Sequence, residues 1–313
     1  MTDPLRDPPG ERTVEALLSF GVVNLDKPAG PSAHQVAAWV RDLAGVDRAA
    51  HAGTLDPKVT GCLPTMLGDA TRLAPVFLEG AKEYVAVLEL HGFPPTDAEA
   101  TLAEFETEIY QKPPRKSAVA RRLRSREIYD LDLLELDERQ ALLRIRCESG
   151  TYIRKLCHDI GLALGTGGHM GALRRVATDP FDDTDLVTLQ DLADGIAWAR
   201  EDDHEAFLRE VVSPAERAMA HLPAVTIARS AAREVAEGAP VYAPGIVEVD
   251  WRSQSANRTQ SDDVDDATAG LDPGDDDLLA CYTPDGSAVC LGKLVGDPAA
   301  ESGEAVSLER VLV

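Results

Sequence analysis

The sequence predicts an α+β protein in two domains, on three observations. Its 313 residues, 44% of them hydrophobic, suffice for two ordinary cores. Up to about residue 220, amphipathic helical stripes are interleaved with strand-like runs. From His221 the pattern changes to short strands separated by turns, as in a small β-barrel-like domain. The expected division is an N-terminal arm at 1–20, a larger domain at 21–220, and a smaller one at 221–313 interrupted by an acidic insertion at 252–277.

Residues 1–19 read as a loose arm leading into a short helix near Val14–Phe20, and Gly21–Leu25 as a buried strand. Lys27-Pro28-Ala29-Gly30-Pro31 is a turn. Ser32 opens a helix, and Gln35 three residues on completes a capping box. Val36, Trp39, Val40 and Leu43 recur at helical spacing, which assigns Trp39 to the core, and Gly45 closes the helix. After a loop, Leu67–Phe77 reads as helical, Tyr84–Leu90 as an alternating strand and 97–110 as a polar helix opened by Asp97. Pro113-Pro114 marks a loop. Tyr129–Leu136 and Ala141–Cys147 read as strands joined by a turn at Asp137-Glu138-Arg139.

Ser149-Gly150-Thr151 starts a helix whose apolar stripe is Ile153, Leu156, Cys157, Ile160 and Leu164. Arg154 and Lys155 sit in its first turn, where cations oppose the helix dipole, so an anion is expected opposite. Gly165–Gly171 matches no phosphate-loop spacing and reads as a connector, and 186–219 adds two or three helices. Beyond His221, strands are expected at Ala224–Ile227, Val241–Val249, Leu278–Thr283 and Val289–Leu294, the last two joined through Pro284-Asp285-Gly286. A helix near Ser230–Glu237 ends at Gly238. The insertion 252–277 packs eight aspartates among Ser, Thr and Gly without an apolar period, and reads as a flexible acidic loop whose spacing does not fit an EF-hand.

Charge and cysteine usage narrow the function. Five scattered cysteines, with no Cys-x-x-Cys pair, argue against a disulfide framework and a zinc site, so no metal is expected. No run of eighteen apolar residues is present and the first twelve lack a signal-peptide core, which points to the cytosol and away from membranes. The net charge is −23, with 7 Lys and 24 Arg against 54 acids, the balance of a surface built for concentrated salt and of a halophilic source. Against that background Lys112, Arg115, Lys116, Arg121, Arg122, Arg124 and Arg126 form an island that no acid interrupts, the strongest compositional signal for a polyanion. High salt shortens charge repulsion to a few ångströms, so the overall charge need not keep a polyanion away.

The stretch His51-Ala-Gly-Thr-Leu-Asp-Pro-Lys-Val-Thr-Gly-Cys-Leu-Pro64 holds one carboxylate, Asp56. Pro57 restricts it to extended backbone, and Gly53 and Gly61 flank it where tight turns or close approach are needed. The Asp-Pro dipeptide alone is ordinary turn chemistry. The whole stretch resembles the catalytic loop of the pseudouridine synthases of the tRNA-pseudouridine-55 synthase and dyskerin group, in its archaeal and eukaryotic guide-RNA-dependent form. The resemblance continues through Asn24-Leu-Asp-Lys-Pro-Ala-Gly30, Lys82-Glu-Tyr-Val85, Gly150-Thr-Tyr-Ile-Arg154 and His169-Met-Gly-Ala-Leu-Arg-Arg175, spanning most of 20–220.

The resemblance implies a mixed, mostly antiparallel sheet with flanking helices. With Ala243-Pro-Gly-Ile246, it also implies a C-terminal RNA-binding domain of PUA type. It implies that Asp56 is the catalytic carboxylate, that Tyr84 stacks on the target uracil and moves the C5 proton, and that Arg154 pairs with Asp56. His51 would hold the target nucleotide out of its helix, Lys27 and Leu173 would line the pocket, and the loop carrying Arg115, Lys116, Arg121, Arg122 and Arg124 would grip substrate RNA. No cofactor is implied. The implied partners are guide RNA, target ribosomal RNA or tRNA, and three small proteins of H/ACA ribonucleoproteins: a kink-turn-binding ribosomal-type protein, a zinc-ribbon-like protein and a small β-barrel protein. One departure is Asp179 before Pro180-Phe181, where the group tends to carry a small or basic residue, which puts an RNA contact there in doubt. The favoured reading is guide-directed modification of ribosomal RNA; the alternatives are a stand-alone enzyme acting at position 55 of tRNA and a non-enzymatic guide-RNA scaffold.

Overall fold

The computed structural model describes residues 3–113, 120–201, 204–251 and 277–313. The acidic insertion therefore lies, but for Asp277, outside the described residues, as do Arg115 and Lys116. The larger domain is built on β1 (Gly21–Lys27), β2 (Ala49–His51), β3 (Thr60–Leu67), β4 (Lys82–Leu90), β5 (Glu108–Gln111), β6 (Arg124–Asp137), β7 (Gln140–Cys147), β8 (Gly168–Thr178) and β9 (Ser213–Pro214). They run β5-β6-β7-β4-β8-β3-β1-β9, with β2 on β3. Every pairing is antiparallel except β3 with β8. Its helices are α1 (Val14–Ser19), α2 (Ala33–Ala44), α3 (Val76–Glu79), α4 (Ala98–Ala103), α5 (Ile153–Ala163), α6 (Leu189–Glu201) and α7 (Ala206–Val211).

The two-residue period of a strand sorts the core into two halves. Val23 and Leu25 of β1, with Leu63 and Leu67 of β3, face a cluster shared with α2, α5, α6 and α7. Val22, Cys62 and Met66 face the other way, into a cluster that also holds Leu278, Ala280, Ala288, Leu291 and Leu312 of the smaller domain. The C-terminal domain is thus packed on the back of the larger domain's sheet through apolar contacts. It contains α8 (Arg229–Ala236) and a six-stranded sheet of β10 (Ala224–Ile227), β11 (Val241–Tyr242), β12 (Ile246–Asp250), β13 (Leu278–Tyr282), β14 (Ala288–Leu294) and β15 (Glu304–Val311), ordered β11-β15-β14-β13-β10-β12.

Several expectations are corrected. Trp39 is 46% exposed, because the buried stripe of α2 is Ala33, Val36, Ala37, Val40 and Ala44, and Trp39 points more than a quarter-turn away from its centre. The Leu67–Phe77 segment is the end of β3, a 3₁₀ turn at Gly68–Leu73 and the short α3. The helix begun near Asp97 stops at Ala103, and Glu108–Gln111 is an edge strand paired with β6. Val241–Val249 is broken into two strands by a 3₁₀ turn at Ala243–Gly245, and β15 was not foreseen. The connector at Gly165–Gly171 contains the start of β8, a central strand. Gly168 serves close approach: a Cβ on Gly161 of α5 would lie 2.4 Å from its nitrogen.

The arm is not loose. Leu5 is buried in the C-terminal core, and the Arg6 guanidinium donates to the Leu312 carbonyl at 3.1 Å and to Asp69 at 2.9 Å. Arg12, 1% exposed, grips Glu216 with two hydrogen bonds of 2.8 and 2.6 Å, and Glu216 in turn accepts from the Ala288 nitrogen at 3.0 Å. One buried pair thus joins the arm, the larger domain and β14. Removing one partner of such a pair strands the other charge, so Arg12→Ala should lower the unfolding free energy by about 3 kcal/mol. Urea denaturation in molar salt checks this; a loss below about 1 kcal/mol, the range of a surface pair, would show that the link is not a structural joint.

Candidate active site

The turn at Lys27–Pro31 and the loop after β2 are one unit. Lys27, fully buried at the end of β1, donates its ammonium to the carbonyls of Pro28 at 2.9 Å, Pro57 at 3.1 Å and Val59 at 2.8 Å. The Gly30 nitrogen donates to the same Pro57 carbonyl at 2.8 Å, and the Val59 nitrogen to the Asp56 carbonyl at 3.0 Å, closing a turn over Asp56–Val59. Leu55 and Val59 anchor the loop in the core on either side of Asp56. Burial pushes the Lys27 ammonium below its ordinary pKa; three carbonyls are what offset the loss of water around the charge.

From the other side Arg175 of β8, 1% exposed, donates Nε to the Cys62 carbonyl at 2.7 Å and Nη2 to the Gly53 carbonyl at 3.4 Å. Gly61 lets the two strands meet there. It has φ +98°, and a Cβ on it would fall 2.1 Å from the Arg175 carbonyl oxygen.

Asp56 projects from this fastened loop with its side chain half exposed, ion-paired with Arg154 in the first turn of α5. The anion expected opposite that turn is therefore a carboxylate. Tyr84 lies on the inward side of β4, whose burial alternates strictly, directly opposite Arg175 on β8. Burial raises its phenol pKa, and the Arg175 charge and hydrogen bond act against that rise. His51 ends β2; burial, then the charges of Arg175 and His34, push its imidazole down, and Nδ1 is buried without a hydrogen-bond partner. Leu173 of β8 is half buried against the main core, opposite Ala86.

The structure thus gathers Asp56, Arg154, Lys27, Tyr84 and His51 around one loop. It also adds two residues that sequence reasoning missed. Arg175 is one; the other is Lys82, 3% exposed, bonded to the Phe77 and Gly80 carbonyls at 3.0 and 2.6 Å. Burial, helped by Arg175 and opposed by Asp179, brings its ammonium down to about 8. A signal for Lys82 existed, since it shares the inward parity of Tyr84, Ala86 and Leu88. Arg175 closes one of the resembling strings, but its strand was not recognised, so its inward direction could not be read. Asp179 is buried and bonded to Arg146 at 2.9 Å, a structural pairing.

Of the basic island, Arg121 and Arg122 are exposed at the approach to β6, and Arg124 is its first residue. The Arg121 Nε donates to the Pro113 carbonyl at 3.1 Å, drawing the two ends of the loop together. All five cysteines are buried and free. Among the described residues no group of three or more His, Cys, Asp or Glu is arranged to hold a metal.

Three family models match the chain: the DKCLD domain over 6–37, the N-terminal domain of TruB family pseudouridylate synthases over 41–97, and the tRNA pseudouridylate synthase B C-terminal domain over 154–220. A relative from Halobacterium salinarum named probable tRNA pseudouridine synthase B is 64% identical over 99% of this chain and 99% of its own length. A namesake from Haloarcula marismortui is 63% identical over 99% and 94%. A solved chain from a Cbf5-Nop10-Gar1 complex is 42% identical with a TM-score of 0.86, over 99% of this chain and 90% of that one. A chain from an H/ACA RNP bound to a substrate RNA containing 2′-deoxyuridine is 39% identical with a TM-score of 0.85, over 100% and 91%.

Gly61 tests the fastening. Gly61→Ala combines left-handed backbone with a Cβ overlapping the Arg175 carbonyl. It should cost at least about 1–2 kcal/mol of stability and speed amide hydrogen exchange across 53–61. Exchange rates there equal to the parent's would mean that β8 does not hold the loop.

Proposed function

This chain belongs to the TruB family of pseudouridylate synthases, and from that membership we propose that Asp56 is the carboxylate through which it isomerises uridine to pseudouridine in RNA. The observation that carries the proposal is the Asp56–Arg154 pair, presented at the surface by a loop whose backbone is tied to Lys27 and Arg175. In the reaction the bond between ribose C1′ and base N1 breaks, the uracil turns, and C5 is joined to the same C1′. Cleavage at a sugar C1′ passes through a cation-like transition state, which one carboxylate beside it stabilises. A second carboxylate would activate water and release the base. Asp56 is the one acid between 51 and 64, as isomerisation requires.

C1′ and N1 are shielded in a stacked helix, so the target nucleotide must be turned out. In this reading Tyr84 stacks on the uracil and takes the C5 proton, and His51, at the end of β2 before the Asp56 loop, holds the displaced nucleotide. Lys27 acts from beneath, through the loop carbonyls, and Leu173 contributes apolar wall. Arg121, Arg122 and Arg124, with Arg115 and Lys116, supply phosphate contacts, and the C-terminal domain serves as a PUA-type RNA grip.

Near full-length likeness to chains from H/ACA complexes favours a guide-directed enzyme acting on ribosomal RNA, together with guide RNA and small protein partners. The names of the halophile relatives favour the second reading, an enzyme acting on tRNA without a guide. Among the described residues no helix is long and apolar enough to cross a membrane, and a cytoplasmic place of work fits the RNA substrate.

Asp56→Asn keeps size and removes charge. Pseudouridine formation should vanish while RNA affinity stays within a few-fold, because the lost interaction belongs to the transition state. Both proteins would be assayed on guide-matched ribosomal RNA with partners and on bare tRNA. A variant retaining more than about a tenth of parental turnover on either substrate would remove Asp56 from its role.

A further inference from the structure

Arg175 is a guanidinium with almost no access to water, at the point where the loop and the sheet meet. Its register partner across β4 is Tyr84, so both side chains leave the sheet on one side. Its hydrogen bonds go to the carbonyls of Cys62 and Gly53, the residues that bracket the Asp56 loop, and its guanidinium acts on the Tyr84 phenol. Among the described residues no carboxylate forms an ion pair with it. A planar fork stripped of water and bonded only to neutral oxygens keeps its full charge and directs it at those oxygens. If Arg175 only filled hydrogen bonds of the fold, any donor of similar size would serve. The position is more specific, because one group spans the loop bearing the carboxylate and the phenol assigned to the base.

We propose that Arg175 is a positioning residue for the isomerisation: as cross-strand partner of Tyr84 and donor to the Cys62 and Gly53 carbonyls, it holds Tyr84, the group that takes the C5 proton, in fixed register with the Asp56 loop. This rests on the reading of Asp56 and Tyr84 given above. The step it serves is the last one. Once C5 is bonded to C1′, the C5–H bond breaks and its electron pair forms C5=C6. The N1=C6 pair moves onto N1, which takes a proton from solvent. The C5 proton goes to the Tyr84 oxygen and is then returned to solvent. Burial opposes the phenolate, and the Arg175 charge acts against that. The other titratable groups acting on Tyr84 are the thiols of Cys147 and Cys62, which oppose the phenolate along with burial and are themselves raised to about 12 by burial.

The test separates this from the reading it rests on, because it needs no turnover. Tyr84 is replaced by 2,3,5-trifluorotyrosine, whose phenol ionises at lower pH, and its ¹⁹F signal is titrated in the parent and in Arg175→Gln. Loss of the neighbouring charge should lower the phenol's dissociation constant about tenfold or more. An unchanged midpoint would overturn the proposal, whatever Asp56→Asn does. Arg175→Lys keeps the charge but not the fork, and covers the case in which the glutamine variant does not fold. Its single-turnover rate should fall about tenfold or more with RNA affinity unchanged, and the labelled phenol should titrate as in the parent. A rate within about twofold of the parent would show that the fork positions nothing.

Discussion

Fixing the backbone of the Asp56 loop to two buried cations is the constraint on which the site depends. Lys27 collects three carbonyls and Arg175 two, and both side chains are almost wholly inside the protein. Burying a charge is expensive unless every part of it is hydrogen-bonded, so these residues tolerate little movement of the oxygens they hold. A loop with few apolar side chains of its own thereby becomes as fixed as the sheet, and Asp56 can meet Arg154 while remaining open to a large substrate.

The sheet order explains why the site forms where it does. β8 runs between β3 and β4, so one strand touches both the loop-bearing segment and the Tyr84 strand. Gly61 faces Arg175 on one side and Tyr84 faces it on the other. The helix carrying Arg154 packs on β8 and β4, which sets its first turn beside the loop. Behind the sheet, the arm and C-terminal domain are joined by Arg12 and Glu216, leaving the loop side clear.

Local chemistry was legible wherever it acts through near neighbours. The capping box of Ser32 and Gln35 forms as the spacing requires, with Gly45 in left-handed conformation at the helix end. The β6–β7 and β13–β14 hairpins and the alternation of β4 could likewise be read directly. The misreadings share a different cause. β8 is rich in glycine and charge because it passes close to α5 and carries Arg174 and Arg175, which bond to Asp26 and to the loop carbonyls, so it lacks the composition of a strand. Trp39 was assigned by period alone, and the period fixed the helix without fixing its rotation against the sheet. The arm looked polar because its anchors are single residues, Leu5 and Arg12, whose partners lie more than 200 residues away. The loop was legible as a string; what fastens it was legible only in part, since Lys27 and Arg175 both lay in recognised strings but the strand that aims Arg175 at the loop was not recognised.

The central claim is that one carboxylate, the one acid of its loop, moves the base without admitting water. The most direct measurement is the reaction run in ¹⁸O-water on a substrate RNA, with the products digested, separated and weighed. The account predicts pseudouridine of the same nucleoside mass as the uridine consumed, with no ¹⁸O in its ribose and no free uracil. Free uracil released in step with turnover, or ¹⁸O in the product sugar, would contradict it.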